Sequence, residues 1–138
     1  MMDDITQYLS LGWDFDQTLC GHPNSRQFWN YIIENPYCQT HHIVSFRTGR
    51  LFDRLWKDLA KEDCPLLPWH FRGVHGIPEE IYAAMIRGLA GGDRYFFWKG
   101  KLCSEVGIEC LIDDATMEVW AGCSKFEIAY LHPDLLDL

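Results

Sequence analysis

Basic residues are scarce in this chain. Its 138 residues hold 12 Lys and Arg against 20 Asp and Glu, a formal charge of -8. A nucleic-acid backbone is bound through clustered Lys and Arg, so nucleic acid is not expected as the main partner, whereas cations suit the balance. No apolar run approaches the roughly 20 residues needed to cross a bilayer. Met1-Met2-Asp3-Asp4 is acidic where an export signal would be basic. The chain is therefore expected in the cytoplasm, without membrane association. Cys-x-x-Cys pairs are also missing: Cys20, Cys38, Cys64, Cys103, Cys110 and Cys123 are dispersed, which fits reduced thiols better than a disulfide framework. Cys38 with His41 and His42 offers zinc-ligand types at close range, but without the paired spacing of compact structural sites. There is no internal repeat, low-complexity tract or linker, and the length suits one domain, 1–138, with a core of its own.

What remains is an alternation of strands and helices. The stretch from Tyr8 to Trp13 has the apolar character of a short buried strand. Phe28, Trp29, Ile32 and Ile33 repeat at helical spacing between the start signal Pro23-Asn24-Ser25 and the stop Asn35-Pro36. His42 to Phe46 forms a second strand, and Leu51, Leu55 and Leu59 mark an amphipathic helix to about Lys61. A third strand is expected from Trp69 to Val74. Pro78 at a first helical position, the face Ile81, Met85 and Leu89, and the stop Gly91-Gly92 define another helix. A shorter helix spans about Lys99 to Val106, a strand spans Ile108 to Ile112, a helix spans Ala115 to Ala121, and Phe126, Ile128 and Tyr130 alternate as a last strand. The pattern predicts an α/β fold: a three-layer, Rossmann-like, mostly parallel sheet with helices on both faces. In such sheets the ligand crevice lies at the carboxyl ends of the strands.

Asp14-Phe15-Asp16-Gln17-Thr18 closes the first strand and places two carboxylates at its end. Strand alternation would point Asp14 and Asp16 the same way and return Phe15 to the core. Like charges this close share a proton or hold a cation. With a divalent metal present, one carboxylate is free to attack phosphorus while the other moves a proton. The same motif also suits a turn in which Asp16 and Thr18 bond to local amides. Ser45 ends the second strand, and Asp113-Asp114 follows the strand ending at Ile112, so three strands deliver polar groups to one edge. Arg47 suits either contact with a substrate phosphate or capping of the next helix. His70 and His75 bracket the third strand, and Trp69 or Trp98 near the crevice suits stacking on a base or sugar.

The ordered set of Asp14-x-Asp16-x-Thr18, a strand ending in Ser45, a Lys ahead of a short helix, and a strand ending in Asp113-Asp114 resembles the haloacid dehalogenase-like superfamily of phosphohydrolases across nearly the whole chain. The resemblance implies a phosphomonoester hydrolase in which Asp14 is the nucleophile that forms an aspartyl-phosphate, and Asp16 is the general acid and base. It further implies that Ser45 bonds a phosphoryl oxygen and that a Lys offsets phosphoryl charge. Lys99 is favoured for the Lys role because it precedes the helix, with Lys101 as the alternative. Asp14, the backbone carbonyl of Asp16, Asp113 and Asp114 would hold Mg²⁺, for which oxygen-only ligation is suited. One of Asp113 and Asp114 would also cap the following helix.

Members of this superfamily often carry an inserted cap domain. Thr18 to Ser45 has room for little beyond one helix, and 64–95 is the only candidate for a small insertion, so the resemblance implies a capless or minimally capped enzyme with an open site. The expected partner is a small-molecule phosphomonoester. A domain that keeps the metal and phosphate site but only regulates or scaffolds is the alternative. The oligomeric state is not legible.

Overall fold

The structure is a computed structural model that describes residues 4–88 and 92–138. It is an α/β fold built on five parallel strands: β1 (Ser10–Trp13), β2 (Thr40–Ser45), β3 (Gly73–Gly76), β4 (Cys110–Ile112) and β5 (Ala129–Leu131), in the order β3-β2-β1-β4-β5. The central strand is β1, with Trp13 opposite Ile43 of β2 on one side and Ile112 of β4 on the other. Because both faces of β1 are covered, all four of its residues are buried.

Among the described residues, six helices flank the strands. These are α1 (Ser25–Glu34), α2 (Gly49–Asp53), α3 (Leu55–Lys61), α4 (Glu79–Ile86), α5 (Gly92–Val106) and α6 (Thr116–Lys125). Phe28 and Ile32 of α1 and Leu55 and Leu59 of α3 pack with Trp13, Ile43 and Ile112 in one core. Ile81 of α4, Trp98 and Cys103 of α5 and Val119 of α6 pack with Val44 and Leu111 in the other. The helix after β1 therefore lies on one face and the helix after β4 on the opposite face. Two adjacent strands whose chains leave in opposite directions open a crevice at their carboxyl ends. Asp14 and Asp113 are the residues that follow those two strands.

Several boundaries differ from the sequence reading. Pro68–His70 forms a 3-10 turn, which moves the third strand from Trp69–Val74 to β3. Residues 64–95 hold β3, an edge strand of the sheet itself, together with α4. The helix expected from Leu51 to Lys61 breaks at Arg54, where φ -92° and ψ 1° separate α2 from α3. Pro78 is the residue before α4 rather than its first. Phe126 ends α6, and Glu127 takes a positive φ of 59°, so β5 begins only at Ala129. Gly92 opens α5 rather than stopping the previous helix, while Leu89 and Gly91 lie outside the described residues.

The helices α5 and α6 meet backbone to backbone. A Cβ on Gly100 would come within 2.2 Å of the Gly122 carbonyl carbon, and one on Gly122 within 2.8 Å of the Phe96 carbonyl oxygen. Neither neighbour is a flexible side-chain end that can swing aside. Gly100→Ala is expected to force the helices apart and lower stability by about 2 kcal/mol or more, read as a fall in the urea midpoint with little change in slope. A midpoint within error of the parent protein would show that the crossing has slack.

Candidate functional site

At the crevice, Lys99 sits among carboxylates. Its ammonium donates to Asp14 Oδ1 at 2.9 Å, Asp113 Oδ2 at 2.5 Å and the Val44 carbonyl at 3.0 Å, which uses all three of its donors. The Lys99 side chain is only 1% exposed and that of Asp113 fully buried. The ammonium also lies 4.1 Å from the centre of the Phe46 ring, a cation–π contact next to Ser45. Lys99 is in the middle of α5, not ahead of a helix as its sequence context suggested. Two residues along a helix turn the side chain by about 200°, so Lys101 points elsewhere: it is 65% exposed and lies 4.0 Å from Glu105.

One ligand atom from each of Asp14, Asp113 and Asp114 lies within 4.8 Å of the others, and among the described residues no other His, Cys, Asp or Glu group of three is so arranged. The donor set is oxygen only, and it is partly shielded from water. Three carboxyl groups against one ammonium leave the cluster short of positive charge, so it could hold a metal ion. Burial pushes Asp14 and Asp113 up to about 7, although Lys99 pulls both down. Burial also raises Asp114, against a hydrogen bond with Asp14 that lowers it. Burial opposes the charge on Lys99, but Asp14 and Asp113 outweigh it and hold the ammonium protonated well above its ordinary range. The other oxygen of Asp113 accepts the Ala115 amide at 2.9 Å, so this carboxylate also fixes the start of α6.

Asp16 is elsewhere. The strand ends at Trp13, and residues 14–20 fold into a hydrogen-bonded turn with Gln17 at a φ of 63°, so strand alternation no longer governs where Asp16 points. Phe15 is fully buried as alternation would have it, but the Asp16 side chain is 54% exposed and its carboxylate lies outside the acidic cluster. Arg47 grips it bidentately, Nε to Oδ2 at 2.9 Å and Nη2 to Oδ1 at 2.8 Å. The remaining Arg47 donor bonds Asp58 at 2.6 Å and the Leu51 carbonyl at 3.0 Å, while the guanidinium lies over the Phe15 ring. These carboxylates, Asp16 first, push Arg47 further above its ordinary range. Ser45 is buried, and its Oγ accepts the Arg47 amide at 3.0 Å.

The structure thus brings Asp14, Lys99, Asp113 and Asp114 together, with the peptide leading to Ser45 attached through Val44. Asp16 and Arg47 pair with each other at the rim. Sequence reasoning missed Phe46 and Asp58. The first was signalled by its place directly after Ser45, and the second by nothing in the sequence. The zinc-type residues disperse: Cys38 is exposed, His41 accepts the Trp13 indole N–H and bonds the Asn35 carbonyl, and His42 pairs with His75 at 3.2 Å. His70 stacks on the exposed Trp69 in the turn before β3, at the amino ends of the parallel strands, whereas the acidic cluster lies at their carboxyl ends, so neither lines the crevice. No described helix is long and apolar enough to cross a membrane. Comparison with protein-family models, curated proteins and solved structures finds no match.

A carboxyl whose folded pKa is raised binds more protons folded than unfolded between the two values, so stability falls as pH rises through that window. For Asp14 and Asp113 the window runs from the ordinary carboxyl value of 3.8 to about 7. The metal-free protein is expected to melt lower at about pH 8 than at about pH 5. Added Mg²⁺ should raise the melting temperature more at the higher pH, because protons no longer compete for the ligands. Melting curves with and without Mg²⁺ check this. An increment that is equal at both pH values, or unchanged in Asp113→Asn, would place cation binding elsewhere.

Proposed function

We propose that the protein is a Mg²⁺-dependent phosphomonoester hydrolase of the haloacid dehalogenase-like type, working through an aspartyl-phosphate on Asp14. The observation that carries this reading is the buried cluster of Asp14, Asp113 and Asp114 with Lys99 at its base, at the carboxyl ends of β1 and β4. The ordered motifs of the sequence support it independently. Mg²⁺, held by Asp14, Asp113, Asp114 and the Asp16 carbonyl, would neutralise carboxylate and phosphoryl charge.

In the first step an Asp14 carboxylate oxygen attacks phosphorus, the bond to the substrate oxygen breaks, and Asp16 delivers a proton to that leaving oxygen. In the second, Asp16 takes a proton from water, the water oxygen attacks phosphorus, and Asp14 leaves as a carboxylate with free phosphate. Lys99 holds the nucleophile by one oxygen and leaves the other to react. It also supplies a fixed charge where phosphoryl charge is drawn in, at no cost of reorganisation. Ser45 and the amides after it serve the phosphoryl oxygens. Arg47 has all but one of its N–H donors engaged by Asp16, Asp58 and the Leu51 carbonyl, so it has little to offer substrate while Asp16 stays paired. That pairing is also what favours the second reading, a catalytically silent metal- and phosphate-binding regulator or scaffold in which Asp16 stays bound to Arg47.

An aryl phosphate should be hydrolysed with Mg²⁺ and not in excess chelator. Asp14→Asn should abolish phosphate release and any protein-bound phosphate. Asp16→Asn should accumulate phosphoenzyme from an activated substrate, since the first step then needs no proton and the second still does. Rapid-quench measurement of protein-bound phosphate, beside circular dichroism, decides the matter. Wild-type turnover in folded Asp14→Asn overturns the covalent mechanism, and a wild-type protein inert toward every phosphomonoester tried supports the scaffold. Of the two lysines, Lys99→Ala should cost orders of magnitude in turnover and Lys101→Ala little, because a fixed transition-state charge contact is worth about 3 kcal/mol or more. The opposite pattern would transfer the role to Lys101.

A further inference from the structure

Away from the acidic cluster, a groove of about 550 Å³ runs between α4 and α5 and reaches the end of α6. That volume is in the range of small-molecule sites. None of Asp14, Asp16, Ser45, Asp113 or Asp114 lines it. Its walls combine aromatic surface, from Phe97, Trp98 and Phe126, with the cations Arg94, Lys101 and Lys125. Glu80 and Glu105 also line it, so its walls carry three cations against two carboxylates, a small positive excess in a chain with a net charge of -8.

The cations are weakly committed. Arg94 and Lys101 each lie 4.0 Å from an exposed glutamate, Glu80 and Glu105, at the outer limit of an ion pair. Such exposed pairs contribute little and yield readily to a competing anion. Lys125 has no carboxylate partner among the described residues. Its ammonium lies instead over the rings of Phe97 at 4.6 Å and Phe126 at 5.7 Å. The third observation is polar: Trp98 is only 5% exposed, and its indole N–H has no acceptor among the described residues. A buried donor left unpaired is costly, and this one belongs to a residue that lines the groove.

We propose that this groove is a binding site for a small aromatic anion, with a flat apolar body against Phe97, Trp98 and Phe126 and a sulfonate-, carboxylate- or phosphate-like group met by Lys125 and its neighbouring cations. Apolar walls select the body, and the cations select the charge. The site is separate from the acidic cluster and holds whether or not that cluster hydrolyses anything.

Anilinonaphthalene sulfonate, followed by its fluorescence, is the probe, with uncharged phenylnaphthylamine as its neutral counterpart. One sulfonate probe should bind per chain. Lys125→Glu, an exposed substitution that leaves the core untouched, should weaken it by about tenfold or more while the neutral probe binds as before. Leu102→Trp, which fills the groove, should lose both probes. If sulfonate binding is unchanged in Lys125→Glu, or if both probes still bind folded Leu102→Trp, the groove is not the site. Should Leu102→Trp fail to fold, the Lys125→Glu comparison of the two probes decides alone.

Discussion

A buried ammonium ties the two halves of this protein together. Lys99 belongs to α5, Asp14 to the turn after β1, Asp113 to the turn after β4 and the Val44 carbonyl to β2, so one side chain bonds three strands of the sheet from a helix packed on its face. Isolated, any of these charges would be strongly disfavoured in the core, and together they are tolerable only in this geometry. Removing one member leaves the others uncompensated. The acidic cluster is therefore not an addition to a finished fold but a condition of it. A cation bound there would act on the same balance that holds α5 to the sheet.

The topology explains why the balance is struck at this place. The helices after β1 and β4 leave on opposite faces, which frees the carboxyl ends of two adjacent central strands from any covering connection. Carboxylates there are enclosed, and burial raises the pKa of Asp14 and Asp113. Asp16, only two residues beyond Asp14, escapes this environment altogether because the chain has already turned and Arg47 has claimed it. Neighbours in sequence thus acquire opposite character: burial raises the pKa of one, and the other, half-exposed, is held by a guanidinium.

The sheet, and the gathering of Asp14, Asp113 and Asp114 at one end of it, were legible in the sequence for a physical reason: short apolar runs that end abruptly in Asp or Ser leave few alternatives to a strand and its carboxyl end. The misreadings have causes of their own. Trp69, His70 and Phe71 are aromatic enough to pass for strand, but Pro68 starts a 3-10 turn there. Phe126 fits an alternating pattern yet serves as the end of α6. Lys99 was placed at a helix start because Gly91-Gly92 reads as a stop when glycine is judged by local propensity alone, whereas α5 already begins at Gly92. Tertiary contact overrides propensity at Gly100, where only a residue without a side chain fits. The grip of Arg47 on Asp16 spans 31 residues of sequence and has no local signature at all.

The contact between Gly100 and Gly122 sets which part of the molecule is stationary. At the Gly100–Gly122 crossing backbone rests on backbone, so no side chain there can repack, and the two helices resist sliding past one another. Lys99 is next to that contact on α5, and the Asp113 carboxylate is hydrogen-bonded to the amide of Ala115 just before α6, so the ammonium and one of its carboxylates ride on the same rigid body. The β1 turn, with Asp14 at its root and Asp16 on its outer side, belongs to the opposite half. A change at the α5–α6 contact would therefore reach Lys99 and Asp113 together, and Asp14 through its bond to the ammonium.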